Sequence, residues 1–102
     1  MEKVYQYTIT DQDLFENVFT DEKIMMNHIV FPPGKVIPKH PASAIVYALI
    51  TRGELSAAIG DDEVKTFKAG QLVNIPKGTM TELANRGEGT LELFVVRYEY
   101  DL

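Results

Sequence analysis

The sequence predicts an all-β fold, a sandwich or a barrel, and two observations support this class. The seven glycines all lie at or after Gly34, and most of their spacings are 7 to 10 residues. The segments between them are rich in Val, Ile, Leu, Phe and Tyr, which are residue types that favour strands. Short apolar runs separated by turn residues at this spacing are typical of sandwiches and barrels.

Eight strands are expected from this pattern, because turn residues such as Pro-Pro-Gly and Pro-Lys-Gly separate the apolar runs. The expected strands are residues 4–9, 24–31, 45–50, 54–59, 64–67, 72–75, 79–83 and 91–98.

The segment before residue 20 allows two interpretations. Thr10 and Asp13 have the form of a helix capping box. Four apolar residues then fall on one helical face: Leu14, Phe15, Val18 and Phe19. The competing interpretation makes residues 15–19 a strand that forms a hairpin with residues 24–31. We favour a short N-terminal helix or turn over this strand.

Composition excludes several functions. The 102 residues are expected to form one domain, 1–102, and they contain no cysteine, which excludes disulfides and thiolate metal sites. The 10 basic residues are outnumbered by 15 acidic ones and are scattered, so no basic face for nucleic acid is expected. No apolar run approaches the roughly 20 residues of a membrane span. We therefore expect a cytoplasmic protein without nucleic-acid or membrane partners.

Two spaced motifs identify a family resemblance. The first contains Gly34, His40 and Gly53, and the second contains Gly70, Pro76, Gly78 and Asn85. Their order and spacing resemble the two signature motifs of the cupin superfamily, over about residues 24–98. The resemblance implies a cupin double-stranded β-helix, the RmlC-like jelly-roll barrel. Gly34, Gly70 and Gly78 are expected at sharp turns with positive φ, and Pro76 is expected at the end of a strand.

The metal positions of the family are mostly substituted. In metal-binding cupins, three histidines and one glutamate hold a divalent ion, and these positions map here to His40, Ala42, Val46 and Thr81. His40 alone retains a good ligand, because alanine and valine carry no donor atom and a threonine hydroxyl is a poor ligand for transition metals. The resemblance therefore implies a metal-free cupin domain without a cofactor.

The expected strand at residues 45–50 indicates what occupies the place of the metal. Alternation places Ala44, Val46, Ala48 and Ile50 on one face, and Val46 occupies the mapped glutamate position. With His40, Ala42 and Thr81, this face predicts an apolar pocket that carries one imidazole and one hydroxyl and binds a small molecule. The alternative is a barrel interior filled with side chains.

His28 offers a second hypothesis. If it points inward, His28 and His40 would share the pocket, with oxygens from Glu82, Thr81 or Tyr47 completing a metal site. The chain would then be a metal-dependent cupin enzyme with a rearranged site. The simpler interpretation is a packed or hydrogen-bonded core histidine.

Whether the chain is an enzyme stays open. In a third hypothesis, suggested by cupins that resemble sugar-nucleotide epimerases, His40 acts as a base and Tyr47 or Tyr98 as an acid without a metal. Tyr47 is a weak candidate, because its position alternates with that of Val46. The candidate ligand-binding residues are His28, His40, Ala42, Val46, Tyr47 and Thr81.

A homodimer is also expected. Residues 91–98 are apolar on both faces in the middle of the strand, and a strand covered on both faces needs a second layer or a partner chain. Ile45, Tyr47 and Leu49 form the outward face of a neighbouring strand. In the alternative interpretation, the sheets and the N-terminal segment of the same chain cover these faces. A fourth hypothesis is a purely structural dimer with a filled core.

Overall fold

The computed structural model describes residues 1–61 and 63–99, which form strands, turns and irregular segments but no helix. The all-β class is confirmed. No helix long and apolar enough to cross a membrane occurs in these residues. The described residues contain nine strands, which are β1 (Leu14–Thr20), β2 (Ile24–Phe31), β3 (Val36–Pro41), β4 (Ile45–Arg52), β5 (Glu54–Ile59), β6 (Lys65–Lys68), β7 (Leu72–Ile75), β8 (Met80–Ala84) and β9 (Leu91–Tyr98).

The strands form two antiparallel sheets that enclose one core. The large sheet has the order β1-β2-β9-β4-β7, and the small sheet has the order β3-β8-β5-β6. The largest fully buried apolar side chains are Phe31, Ile50, Leu55, Leu91 and Leu93. Each contributes roughly 1.5–3 kcal/mol when it is withdrawn from water, so this layer stabilises the packing of one sheet on the other.

The N-terminal helix is wrong, and the competing hairpin is correct. Residues 14–20 form β1, which pairs with β2 through contacts such as Phe15 with Ile29 and Glu16 with His28. The Thr10 hydroxyl accepts a hydrogen bond from the Gln12 amide at 3.1 Å, so it stabilises a local turn rather than a helix start. Pairing with β2 satisfies the backbone of β1 and outweighs its local helical pattern.

Residues 4–9 are not a strand either. This exposed segment runs over the outer face of the large sheet, where the Tyr5 ring stacks on Phe19 and the Tyr7 ring meets Phe94 edge-on, both at 4.9 Å. The expected strand pattern missed β3, because the prolines and lysine in Val36–Pro41 are typical of turns. β3 lies at the edge of the small sheet, where prolines are tolerated.

The motif residues form the turns that were expected of them. Gly34, Gly70 and Gly78 have φ values of 92°, 94° and 87°, and β7 ends at the residue before Pro76. Gly53 is the most constrained position, because its φ is +77° and a Cβ there would lie 2.3 Å from the Thr90 carbonyl oxygen. Glycine is therefore required at Gly53 both for its backbone conformation and for space.

The Asn85 side chain joins two backbone segments, the end of β2 and the turn before β9. Its Nδ2 donates to the carbonyl oxygens of Phe31 and Gly89, each at 2.8 Å, and its Oδ1 accepts from the Gly87 amide at 3.0 Å. The side chain is 1% exposed. Asn85 therefore connects the turn before β9 to the end of β2.

Candidate functional site

A cavity of about 310 Å³ lies between the two sheets. The large sheet lines it with Ile29, Val46, Ala48, Ile75 and Val95. Its other apolar lining residues are Phe15, Ile37, Ala42 and Leu83. The cavity opens to the surface, because the exposed residues His40 and Ser43 also line it. An open cavity is thus present on the face of β4 that carries Val46 and Ala48.

Five polar residues line the cavity as well: Asn27, His40, Ser43, Thr81 and Arg97. His40 and Thr81 are cross-strand partners in β3 and β8. Arg97 lies near the end of β9, with Met25 and Val46 as its partners in the two neighbouring strands. The lining therefore combines apolar walls with an imidazole, a guanidinium, an amide and two hydroxyls.

The four mapped metal positions come together around this cavity, since His40, Ala42, Val46 and Thr81 all line it. Their chemistry does not fit a metal ion, because one imidazole and one hydroxyl are the complete donor set. The Thr81 hydroxyl donates to the Thr79 carbonyl at 3.1 Å. Across the described ranges, no group of three or more His, Cys, Asp or Glu residues is placed to hold a metal. The cavity has the position of a metal site without its ligands.

The hydrogen bond of His40 defines its tautomer. Its Nδ1 lies 2.8 Å from the Pro38 carbonyl oxygen, which can act only as an acceptor, so Nδ1 carries the proton. In the neutral ring, Nε2 therefore keeps its lone pair. His40 can accept a hydrogen bond from a ligand at Nε2, or donate one when the ring is protonated.

Arg97 and Asn27 are site residues that sequence reasoning missed. Alternation along β9 places Arg97 in the same inward row as Leu93 and Val95, and alternation along β2 places Asn27 in the row of Ile29. This signal was present in the sequence. A polar residue that interrupts an inward row of apolar residues indicates a cavity wall or mouth.

His28 does not belong to the cavity, so the metal site that used His28 and His40 is wrong. Neighbouring residues of a strand face opposite sides, and Asn27 and Ile29 on either side of His28 face the cavity. The His28 side chain instead points to the outer face of the large sheet, where it is 0% exposed. The interpretation as a hydrogen-bonded histidine is the one that the structure supports.

The His28 ring lies between two carboxylates. Its Nδ1 is 2.8 Å from Glu16 Oε2, and its Nε2 is 2.8 Å from Glu92 Oε2. The ring also stacks on Phe94, with centroids 4.6 Å apart, and Tyr7 covers it at 5.0 Å. Each ring nitrogen therefore lies within hydrogen-bond distance of a carboxylate oxygen, and a carboxylate can act only as the acceptor of such a bond.

Both carboxylates favour the ionised state. Burial raises the pKa of Glu92, but hydrogen bonds from Thr51, His28 and Arg52 outweigh burial and hold this pKa below its ordinary value. The Thr8 backbone amide and then the His28 ring lower the pKa of Glu16. This buried cluster attaches the N-terminal segment to the large sheet and does not contact the cavity.

The remaining candidates lie outside the cavity. Tyr47 and Tyr98 are absent from its lining, and Tyr47 is 41% exposed on the outer face of β4. Glu82 pairs with Arg86 at 3.1 Å and does not line the cavity. Neither an acid–base pair of His40 with a tyrosine nor a Glu82 ligand is therefore assembled within the cavity.

Comparison with known proteins gives a consistent family assignment. Residues 27–97 match the model of the family described as "Cupin domain". An uncharacterised protein of Methanocaldococcus jannaschii is 32% identical over 98 residues, which cover 95% of this chain and 84% of the relative. Its crystal structure, described as an RmlC-like cupin family protein with a double-stranded β-helix fold, aligns with a TM-score of 0.91 at 31% identity. That alignment covers 96% of this chain and 91% of that chain.

More distant structures share the fold. A conserved protein of unknown function from Streptococcus pyogenes aligns with a TM-score of 0.76 at 18% identity, over 92% of this chain and 80% of that chain. The cupin domain of Schizosaccharomyces pombe Cnp3 aligns with a TM-score of 0.79 at 18% identity, over 84% of this chain and 64% of that chain. These two likenesses concern architecture alone.

Proposed function

The chain belongs to the cupin family, and from this premise we propose that it is a metal-free domain that binds a small molecule in the cavity. One observation carries the proposal. The four positions at which the family's metal would be held line a single cavity, and Ala42, Val46 and Thr81 replace three of the four ligands. The barrel thus retains a cavity whose lining is largely apolar.

The dimensions of the cavity support a small ligand. Its volume of about 310 Å³ lies at the lower end of the roughly 300–1,000 Å³ that is usual for ligand sites. Apolar walls with a few placed polar groups are also usual for such sites, because burial supplies affinity and the polar groups supply orientation. A ligand of the size of one substituted aromatic ring suits this chamber.

The experiment uses benzamide as a neutral probe in a titration followed by ¹H–¹³C methyl spectra. We expect saturable shifts at cavity methyls such as those of Ile29, Ile75 and Val95. Ala48→Leu, which extends a side chain into the cavity, should weaken binding at least about fivefold. Ala58→Leu is the matched control, because Ala58 does not line the cavity.

Two results would contradict the proposal. One is the absence of saturable shifts at the cavity methyls for any small aromatic probe. The other is binding that Ala48→Leu leaves unchanged, since the probe would then bind elsewhere. Thermal unfolding of both leucine variants checks that the fold is retained.

We also propose that two copies associate through the outer face of the large sheet. Tyr47 and Leu49 on β4 are 41% and 39% exposed, and Leu72 on the edge strand β7 is 61% exposed. Leu49 and Leu72 are cross-strand partners, so the apolar side chains form one patch. The N-terminal segment covers Phe94 through Tyr7, which leaves the β4–β7 end of this face for a partner. A symmetric dimer brings two such patches together.

Sedimentation equilibrium tests the dimer. We expect the wild-type chain to sediment as a dimer at micromolar concentration and Leu72→Glu to sediment as a monomer, because a charge would be buried in the interface. Val64→Glu is the control, since Val64 is 55% exposed and lies away from the patch in a loop. A monomeric wild type, or a dimeric Leu72→Glu variant, would refute this assignment.

The proposed setting is the cytoplasm. Fractionation of cells that express the chain at its native level tests this location directly. Recovery with the cytoplasmic fraction supports the proposal, and recovery with membranes or the external medium contradicts it.

A further inference from the structure

Building on the proposed small-molecule site, we propose that the ligand is a small monocarboxylate with an apolar body, whose carboxylate pairs with Arg97. The proposal rests on the placement of the Arg97 guanidinium, on the absence of acidic residues from the cavity lining, and on the neutral polar groups at the mouth.

Arg97 has no close carboxylate within the described part of the chain. Among the described residues its ion-pair partner is Glu99, whose Oε1 lies 3.9 Å away and whose side chain is 68% exposed, so this pair is weak. Two further contacts join it to neutral groups: a hydrogen bond that it donates to the Ser43 hydroxyl and a 3.6 Å contact with the Met25 sulfur.

The other two arginines provide a comparison. Arg52 pairs with Asp11 at 2.5 Å and with Glu92 at 3.2 Å, and Arg86 pairs with Glu82 at 3.1 Å. Both form ion pairs within the fold and face away from the cavity. Arg97 lines the cavity with its side chain 27% exposed, so it is the arginine placed to receive an anion from a ligand.

The charge of the cavity lining also favours an anionic ligand. The chain carries 15 acidic residues against 10 basic ones, yet among the described residues no Asp or Glu lines the cavity. A half-buried guanidinium beside apolar walls attracts an anion more strongly than an exposed one, because the surrounding dielectric constant is lower. The described residues that line the cavity thus include one permanent positive charge and no carboxylate.

Neutral polar groups can complete the recognition of a carboxylate. Asn27, which is 5% exposed and lines the cavity, accepts at Oδ1 from Asn17 Nδ2 at 3.2 Å, and its own amide Nδ2 is a further donor. His40 Nε2 is free to bind a second polar group on the ligand, since Nδ1 is engaged by Pro38.

The number of cations favours a carboxylate over a phosphate. Arg97 is the one permanent cation among the lining residues of the described chain. It can neutralise a single negative charge, and its planar fork matches the two oxygens of a carboxylate. A phosphate monoester carries up to two charges and would leave one uncompensated beside apolar walls.

The test compares benzoate with benzamide, a pair of similar shape that differs in charge, by methyl-detected titration at pH 7. We expect benzoate to bind at least about tenfold more tightly than benzamide, because charge-assisted hydrogen bonds are roughly twice as strong as neutral ones. Arg97→Gln should remove this preference, so that benzoate binds no more tightly than benzamide. Arg97→Lys should lie between, since it keeps the charge and loses the fork.

Arg86→Gln is the matched control, because it removes the same charge at a site outside the cavity, and it should leave both affinities unchanged. Equal binding of benzoate and benzamide to the wild type would overturn the carboxylate assignment, as would a preference that survives in Arg97→Gln. Tighter competition by inorganic phosphate than by benzoate would overturn it too. If neither aromatic probe enters the cavity, the proposed function itself fails, so the two failures are distinguishable.

Discussion

Replacing His28 by alanine tests the buried cluster on the outer face of the large sheet. The substitution removes the two hydrogen bonds at 2.8 Å to Glu16 and Glu92, and it removes the ring that stacks on Phe94 and meets Tyr7 edge-on. Breaking a buried ion pair costs about 3–5 kcal/mol when the partner charge stays buried without compensation.

The structure places this cost at the lower end of that range. Glu92 keeps hydrogen bonds from Thr51 at 2.6 Å and from Arg52 at 3.2 Å. The Glu16 side chain is 25% exposed, so water can replace part of what it loses. We therefore expect His28→Ala to lower the free energy of unfolding by about 3 kcal/mol.

Equilibrium urea unfolding followed by far-UV circular dichroism measures the effect. With a slope of about 1.5 kcal/mol per molar urea, the midpoint should fall by about 2 M. His40→Ala serves as the control, because His40 is exposed and its one side-chain hydrogen bond is local. That variant should stay within about 0.5 kcal/mol of the wild type.

A His28→Ala variant as stable as the His40→Ala variant would refute the argument that the cluster stabilises the fold. Hydrogen exchange adds a local readout, because the Thr8 amide donates to Glu16 at 2.8 Å. This amide should lose protection in His28→Ala before the amides of β9 do.

Three further predictions concern stability. The lowered pKa values of Glu16 and Glu92 contribute stability that is fully present above the ordinary value of 4.5 and is lost as the pH falls through the lower native pKa values. Urea unfolding between pH 3 and pH 7 should therefore show a decline below about pH 4.5, and this decline should be shallower in Glu92→Gln. Gly53→Ala should cost at least about 2 kcal/mol in the same assay, whereas Gly87→Ala, where the nearest atom to a Cβ lies at 3.6 Å, should be nearly neutral. Asn85→Ala should cost about 2–3 kcal/mol because it leaves buried backbone groups without their hydrogen-bond partner. A cost no larger than that of Asn74→Ala, on the exposed face of β7, would contradict the role assigned to Asn85.

Most of the strands and turns could be predicted from short-range rules. Positive-φ glycines, a strand-ending proline and alternating apolar residues have the same physical consequences in any chain, so the turns at Gly34, Gly70 and Gly78 and most of the strands were predictable. The cavity residues His40, Ala42, Val46 and Thr81 followed from motif spacing, and the structure places all four around one cavity.

The errors share a physical cause, which is that they depend on partners distant in the chain. β1 has a helical pattern locally, but an antiparallel partner in β2 decides its conformation. In β2 both faces are buried, with His28 and Val30 on one side and Ile29 and Phe31 on the other. Hydrophobicity therefore could not show which face points into the barrel.

The sequence by itself determined the fold, the turns and the loss of the metal ligands, because these depend on residue type and spacing. Tertiary structure decided which side chains meet: it placed His28 between Glu16 and Glu92, 12 and 64 residues away along the chain. It also brought Arg97 to the cavity that His40 borders. Strand alternation defines two faces for every strand, and the packing of one sheet on the other selects the face that becomes the site.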